Sequence, residues 1–197
     1  MISQNPNFVS QEELNLLVNY ALKLNESDKW DKSDPSPNWH NRYVHAGTLV
    51  ADKENFGKSE DLLVYKTLVE IRMRIKDHII KIRNLGVPLY SDTLQLVRWL
   101  PGNEQLPHAD SENQDGTPHP YGWRDYASIV YLNSEYEGGK IYFPDHELEL
   151  IPEPGTMVTF PGSTEYMHGV SKVTSGLRLT VASFWTLDAN HADRLPI

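Results

Sequence analysis

The chain has 197 residues, 39% hydrophobic and 23% charged, which is the make-up of a soluble globular protein long enough to bury one substantial core. With 18 basic against 27 acidic residues the formal net charge is −9, a surface that repels phosphate backbones and argues against nucleic acid as a partner. The absence of cysteine excludes disulfides, iron–sulfur clusters, thiolate zinc sites and a cysteine nucleophile.

Met1 to Leu16 has neither a basic n-region nor an apolar h-region, and no run approaches the length of a membrane span, so a cytoplasmic chain without membrane association is expected. Ser10-Gln11-Glu12-Glu13 reads as a capping box that opens a first helix, with Leu14, Leu16, Val18, Ala21 and Leu22 as its apolar contacts. Asn25 to Asn41 is polar, carries Pro35 and Pro37, and reads as a loop anchored by Trp30 and Trp39. Tyr43 to Val50 is read as a short strand. Ser59 starts a longer helix whose stripe is assigned to Leu62, Tyr65, Val69, Met73, Ile75, Ile79 and Ile80, with Gly86 and Pro88 as its stop. The mixed run Arg72 to Arg83, interrupted by Asp77, belongs on the solvated face of that helix rather than in a nucleic-acid patch.

Beyond Pro88 the pattern changes to short β runs: Thr93–Leu100, Tyr126–Leu132, Lys140–Phe143, Glu147–Ile151, Thr156–Phe160 and Leu177–Leu187. Turn chemistry separates them at Pro101-Gly102-Asn103, Gly138-Gly139, Pro154-Gly155, Pro161-Gly162 and Ser175-Gly176. Helices followed by strands predict one α+β domain over 1–197: a helical support over about 1–88, and a jelly-roll core of antiparallel strands over about 89–190.

Four polar residues in the second half carry the chemistry. His108 and Asp110 form an His-x-Asp pair, His168 follows far downstream, and Arg178 lies ten residues beyond it. Side chains at i and i+2 of a strand share a face, with Cα atoms about 6.6 Å apart, so His108 and Asp110 at a strand end reach one ion while Ala109 faces away. Two histidines and one carboxylate are the facial triad that holds non-haem Fe(II) and leaves positions open. In a chain with eight histidines an isolated His-x-Asp is weak; its placement on the β-rich half, ahead of a strand carrying Arg178, strengthens it. His40, His45, His78, His119, His146 and His191 are assigned to surface or hydrogen-bonded positions. Along Leu177–Trp185, Arg178, Thr180 and Ala182 share one face, and Leu177, Leu179 and Val181 the other. A guanidinium in such a strand is costly to bury unless it meets an anion, which it grips with two parallel hydrogen bonds, Thr180 adding a third. That anion is either a protein carboxylate or a co-substrate, and the position after His168 favours the co-substrate.

Val97-Arg98-Trp99-Leu100-Pro101-Gly102-Asn103 running to His108-x-Asp110 resembles the entry to the catalytic domain of the prolyl 4-hydroxylase-like Fe(II)/2-oxoglutarate-dependent dioxygenases. Tyr131-Leu132-Asn133, Glu137-Gly138-Gly139, Phe143-Pro144, Pro154-Gly155-Thr156 with Phe160, His168-Gly169-Val170 and Gly176-x-Arg178 continue that resemblance in order, over roughly Leu94 to Trp185. It implies a double-stranded β-helix (jelly-roll) with N-terminal supporting helices, Fe(II) on His108, Asp110 and His168, and O2 and 2-oxoglutarate as co-substrates. It further implies that Arg178 and Tyr131 hold the far carboxylate of 2-oxoglutarate, and that a prolyl residue of a protein or peptide is hydroxylated with release of succinate and CO2. Two departures stand out. Collagen-type members usually have lysine where this chain has Arg178, which places it nearer the oxygen-sensing and microbial branches, and the family's frequent tyrosine before the Pro-Gly turn is Trp99.

The polar segment Ser111 to Asp125 follows the ligand pair directly and reads either as a lid or substrate wall, through Tyr121 and Trp123, or as a solvated insertion. With Trp99, these are the candidate substrate contacts; Trp30, Trp39 and Tyr43 are further candidates for the same groove. Asp110 favours hydroxylation over halogenation, whose practitioners vacate the carboxylate position. A nucleic-acid demethylase of the same superfamily carries a second arginine where this chain has Phe184. A hydroxylase of a small molecule or free amino acid shares every catalytic residue, and a non-enzymatic jelly-roll metal binder needs the triad without Arg178. The sequence leaves the substrate, the hydroxylated carbon, the oligomeric state and the metal found in a crystal open.

Overall fold

The computed structural model describes residues 1–34, 36, 39–193 and 195. Its elements, in chain order, are β1 (Ser3–Asn5), α1 (Gln11–Ser27), β2 (Tyr43–His45), α2 (Thr48–Ala51), α3 (Ser59–Arg83), β3 (Tyr90–Trp99), β4 (Gln105–His108), β5 (Tyr126–Tyr131), β6 (Tyr136–Gly138), β7 (Ile141–Phe143), β8 (Leu148–Leu150), β9 (Met157–Pro161), β10 (His168–Val170), β11 (Val173–Gly176) and β12 (Arg178–Thr186). All strand pairs are antiparallel. A six-stranded sheet runs β1-β9-β5-β12-β3-β2, a four-stranded sheet β4-β10-β7-β8, and β11 pairs with β6.

Two layers of core hold this together. The helices cover one face of the large sheet: Leu17, Leu24, Val64, Leu68, Ile71 and Ile75 pack with Leu94, Leu96, Leu179, Val181 and Trp185. The other face meets the small sheet through Ala127, Tyr131, Ile141, Phe143, Val158 and Phe160. The strands therefore change partner with every residue, as the period of two requires: Leu179 and Val181 of β12 face the helices, while Arg178, Thr180 and Ala182 face the space between the sheets. This is the predicted α+β arrangement, helices against an antiparallel jelly roll.

The capping box is present in both directions, Glu13 N donating to Ser10 Oγ at 3.2 Å and Ser10 N to Glu13 Oε2 at 2.8 Å. Buried Asp61 ties the helices together by accepting from Tyr20 Oη at 2.6 Å and from the Lys58 amide at 2.7 Å. The structure corrects several expectations. The helix α3 ends at Asn84, whose left-handed φ of 50° closes it before Gly86. Leu62, Met73 and, on α1, Leu22 are exposed, because the buried stripes pass through Leu17 and Leu24 on α1 and Val64, Leu68, Ile71 and Ile75 on α3. Tyr43–Val50 is a strand only to His45 and turns helical at Thr48. Strands β1 and β2 come from the segment read as helical support; each joins an edge of the large sheet, β1 on β9 and β2 on β3. Pro35 and Pro37 lie outside the described residues. No helix among the described residues is long and apolar enough to cross a membrane.

Leu68 and Leu62 separate the true stripe from the sequence reading. Leu68→Ala empties a fully buried position and costs about 2 to 5 kcal/mol, whereas Leu62→Ala on the exposed face costs less than about 0.5 kcal/mol. Urea midpoints of the two variants check this; equal shifts would contradict the packing described.

Candidate metal centre

His108 closes β4 and His168 opens β10, and the two are direct cross-strand partners. Their rings pack with centroids 4.4 Å apart. Asp110 lies past the end of β4, where its amide donates to the carbonyl of Gly162 at 2.9 Å. Gly162 is required there, since a Cβ would collide with the carbonyl of Arg124. The pair predicted to share one strand is thus assembled from a strand end and a turn pinned to the β9 end. His108 Nε2 stands 3.7 Å from Asp110 Oδ1, and His168 Nε2 3.9 Å from Asp110 Oδ2. One nitrogen or oxygen from each of the three residues lies within 4.8 Å of the others, spacing that one ion can bridge.

The outer nitrogens are engaged elsewhere. Nδ1 of His108 is 3.1 Å from the carbonyl of Leu106, and Nδ1 of His168 is 3.2 Å from that of Tyr166. A carbonyl only accepts, so each ring carries its proton on Nδ1 and presents the Nε2 lone pair inward. Burial pulls the His168 pKa down to about 4, with His108 adding to the fall and Asp110 opposing it. That imidazole is therefore neutral and available to a metal at pH 7. Asp110 Oδ2 is buried without a hydrogen-bond partner. An unsatisfied buried carboxylate oxygen facing two lone pairs fits a cation and little else.

The triad opens on a cavity of about 370 Å³ between the sheets. Arg178 lines its far wall at 1% exposure, with the guanidinium 5.2 Å from the ring centre of Trp99 and 5.0 Å from that of Tyr131. Nε and Nη2 of Arg178 and the hydroxyl of Tyr131 are buried without hydrogen-bond partners, and no carboxylate among the described residues pairs with Arg178. Burial pushes the Tyr131 phenol up to about 12 against the opposing pull of Arg178, so it remains a donor. Thr180 is buried on the same face of β12, one pleat from Arg178.

Trp99 and Tyr121 also line the cavity. Trp123 lies outside the lining, stacked flat on His191 at 3.8 Å and edge-on behind Tyr121 at 5.8 Å. Trp39 and Tyr43 reach the cavity, whereas Trp30 is a core residue beneath Arg98. Gln105 and Arg124, which sequence reasoning passed over, also line it, as do His45 and His119, which it assigned to surface or hydrogen-bonded positions. Arg124 is held between the rings of Tyr121 and Phe184, at 3.9 and 3.8 Å, and pairs with Asp92 at 2.8 Å. These residues carry no motif: His45 comes from β2, Gln105 from β4, and His119 and Arg124 from the 111–125 segment, so only the tertiary fold brings them together.

Residues 94–186 match the family model described as the 2OG-Fe(II) oxygenase superfamily. Human prolyl 3-hydroxylase 1 is 39% identical over 82 residues, and chicken prolyl 3-hydroxylase 2 is 38% identical over 76. Those stretches cover 39% and 36% of this chain but 11% of each of the longer relatives. Among solved structures, the viral collagen prolyl hydroxylase from Paramecium Bursaria Chlorella virus-1, bound to 2OG, superposes with a TM-score of 0.67 at 18% identity, covering 94% of both chains. A prolyl-4-hydroxylase from Pseudomonas putida gives a TM-score of 0.60 at 16% identity, covering 94% of this chain and 91% of its own. Just under half of this chain thus matches the 2OG-Fe(II) oxygenase superfamily model, and its fold is similar to those of the viral and bacterial prolyl hydroxylases. The triad and the matching family model together imply Fe(II) and 2-oxoglutarate as the cofactor and co-substrate.

The depressed pKa of His168 has a consequence for the metal-free protein. Between about pH 6.5, where an unfolded imidazole titrates, and about pH 4, the unfolded chain binds the proton that the folded chain refuses. Stability contributed at neutral pH therefore declines as pH falls through that window. Burial also lowers His45, His78 and His119, which act in the same direction. Denaturation midpoints of the metal-stripped protein should be lower at pH 5 than at pH 7, and His168→Gln should reduce the difference.

Proposed function

We propose that this chain is an Fe(II)- and 2-oxoglutarate-dependent oxygenase that hydroxylates a prolyl residue in a protein or peptide. The observation that carries the reading is Arg178: a guanidinium buried without a carboxylate partner among the described residues, in the cavity that the triad opens on. A dicarboxylate with one end at the metal supplies the missing anion, accepting from Arg178 Nε and Nη2 and from the Tyr131 hydroxyl. Thr180, on the same face of β12, is assigned a further hydrogen bond to it. His108, Asp110 and His168 hold the metal, and the Nδ1 contacts keep both imidazoles in the ligating tautomer. Bound there, Fe(II) with 2-oxoglutarate and O2 supplies the oxidising power to place one oxygen atom in a substrate C–H bond, releasing succinate and CO2. In this reading the helical segment over about 1–88 supports a catalytic core over about 89–190.

The prolyl assignment is supported by the cavity walls and by the relatives. Trp39, Tyr43, Trp99, Tyr121 and Phe184 present aromatic faces, the surface on which pyrrolidine rings pack in polyproline recognition. Human prolyl 3-hydroxylase 1 and the Pseudomonas prolyl-4-hydroxylase carry the prolyl activity in their names. A Trichoplax adhaerens prolyl hydroxylase with a TM-score of 0.66 at 14% identity is in complex with a peptide fragment of hypoxia inducible factor. Trp99 and Tyr121 are the proposed substrate contacts, with Trp123 acting only through Tyr121.

Two measurements test this. In an anaerobic titration, the visible charge-transfer band of the Fe(II) protein with 2-oxoglutarate should appear in the wild type and vanish in His168→Ala. Arg178→Ala should raise the 2-oxoglutarate concentration at half-saturation by roughly tenfold to a hundredfold, the worth of a charge-assisted hydrogen bond. An unchanged value would remove Arg178 from the co-substrate site. Succinate release stimulated by proline-containing peptides and not by free proline is expected; stimulation by free proline alone would replace the peptidyl reading with a small-molecule one.

A further inference from the structure

Gln105, the first residue of β4, reaches the metal centre without belonging to any motif. Its Nε2 lies 3.1 Å from Nε2 of His108, the ring nitrogen that faces Asp110. The Leu106 carbonyl, on Nδ1, already places the ring proton there, so His108 Nε2 carries a lone pair. The contact is then a carboxamide N–H donated to the lone pair a metal ion requires. One lone pair cannot serve both. The backbone beside Gln105 has little freedom to withdraw it. The β4–β10 register shifts between His168 and Val170, which brings Val170 opposite Gln105. At Gly169 a Cβ would come within 2.7 Å of the Gln105 carbonyl and 2.5 Å of the Tyr142 ring, so the strands approach closely where the side chain departs.

We propose that Gln105 gates the metal centre: its carboxamide caps the ligating nitrogen of His108 and must be displaced when a divalent cation enters. The proposal rests on the reading of His108 as a metal ligand. Two opposed effects decide its sign. The cap helps orient the imidazole, which favours binding, and it competes for the lone pair, which opposes binding. Orientation is already secured by the Leu106 carbonyl and by packing against the His168 ring, so competition prevails. His168 has the corresponding carbonyl contact on Nδ1 but no cap on Nε2 among the described residues. The gate therefore acts on one ligand only. A cation that engages His168 and Asp110 alone leaves it shut, and full three-ligand binding opens it. The displaced carboxamide stays in the cavity wall.

The test is a Co(II) titration of the full chain, followed by the visible spectrum at equilibrium and by stopped flow. Gln105→Leu keeps the volume and removes the donor; Gln105→Asn keeps the amide and shortens its reach. Both should bind Co(II) about three- to tenfold more tightly than the wild type, the worth of one net hydrogen bond, and more rapidly. Their Co(II) spectra should match the wild type, because the ligand set is unchanged. Gln105→Glu should shift the spectrum, its carboxylate lying within reach of the ion. Unchanged or weaker Co(II) binding in a folded Leu or Asn variant overturns the gate while leaving the metal site standing. Failure of the wild type itself to bind Co(II) overturns the metal reading and the gate together. If the Leu variant does not fold, the Asn variant decides.

Discussion

A guanidinium held at 1% exposure with no carboxylate paired to it among the described residues is the constraint around which this molecule is arranged. Removing a charge from water costs several kcal/mol unless a counter-charge is supplied, and aromatic faces recover only part of it. Trp99 and Tyr131 flank Arg178 at about 5 Å, but its Nε and Nη2 remain unsatisfied. The strand that carries it is the centre of the large sheet, paired along nearly its whole length with β3 on one side and β5 on the other. A charge on an edge strand turns outward at little cost; on this strand it cannot. The sheet thus holds an incomplete ion pair open toward the cavity, stabilised by packing on the opposite face, where Leu179, Val181 and Trp185 meet the helices.

The metal ligands follow a different logic. They stand on short elements: a four-residue strand, the turn after it, and a three-residue strand. Such pieces have little intrinsic rigidity, and their geometry is enforced by backbone contacts. The Gly162 carbonyl holds Asp110, and the Leu106 and Tyr166 carbonyls fix the two rings. The close approach at Gly169 sets the spacing of β4 and β10. Each contact uses main-chain groups that carry no sequence signature of their own, which is why His-x-Asp is legible and its supports are not.

The same division explains what could be read in advance. The capping box at Ser10 was legible because its two hydrogen bonds are local. The alternation of Arg178, Thr180 and Ala182 against Leu179 and Val181 was legible because a central strand buries both faces differently. On α3, Leu62 and Met73 fit a helical stripe as well as Leu68 and Ile71 do; only the position of the sheet decides between them, and that is a long-range fact. The strands β1, β4, β6, β10 and β11 have three or four residues each, too short to show a period. Trp123 and Tyr121 are two residues apart and equally aromatic, yet one lines the cavity and the other stacks on His191, a difference set by the turn they share.

The arrangement joins a rigid anchor to an adjustable mouth. Arg178, Tyr131 and Thr180 are fixed by the large sheet, whereas Tyr121 and Arg124 come from the 111–125 segment, which forms no strand or helix and is anchored by individual contacts such as Arg124 to Asp92, Trp123 to His191 and Glu112 to Thr164. Core sheet strands open at the high end of the stability range, while a segment without a backbone ladder opens at lower cost. Under the proposed reading, the sheet residues would hold a dicarboxylate in one geometry and the loop would admit a polypeptide substrate. The sequence separates the two as well: the anchor lies in an alternating strand, and the mouth in the stretch between Ser111 and Asp125 that no periodicity describes.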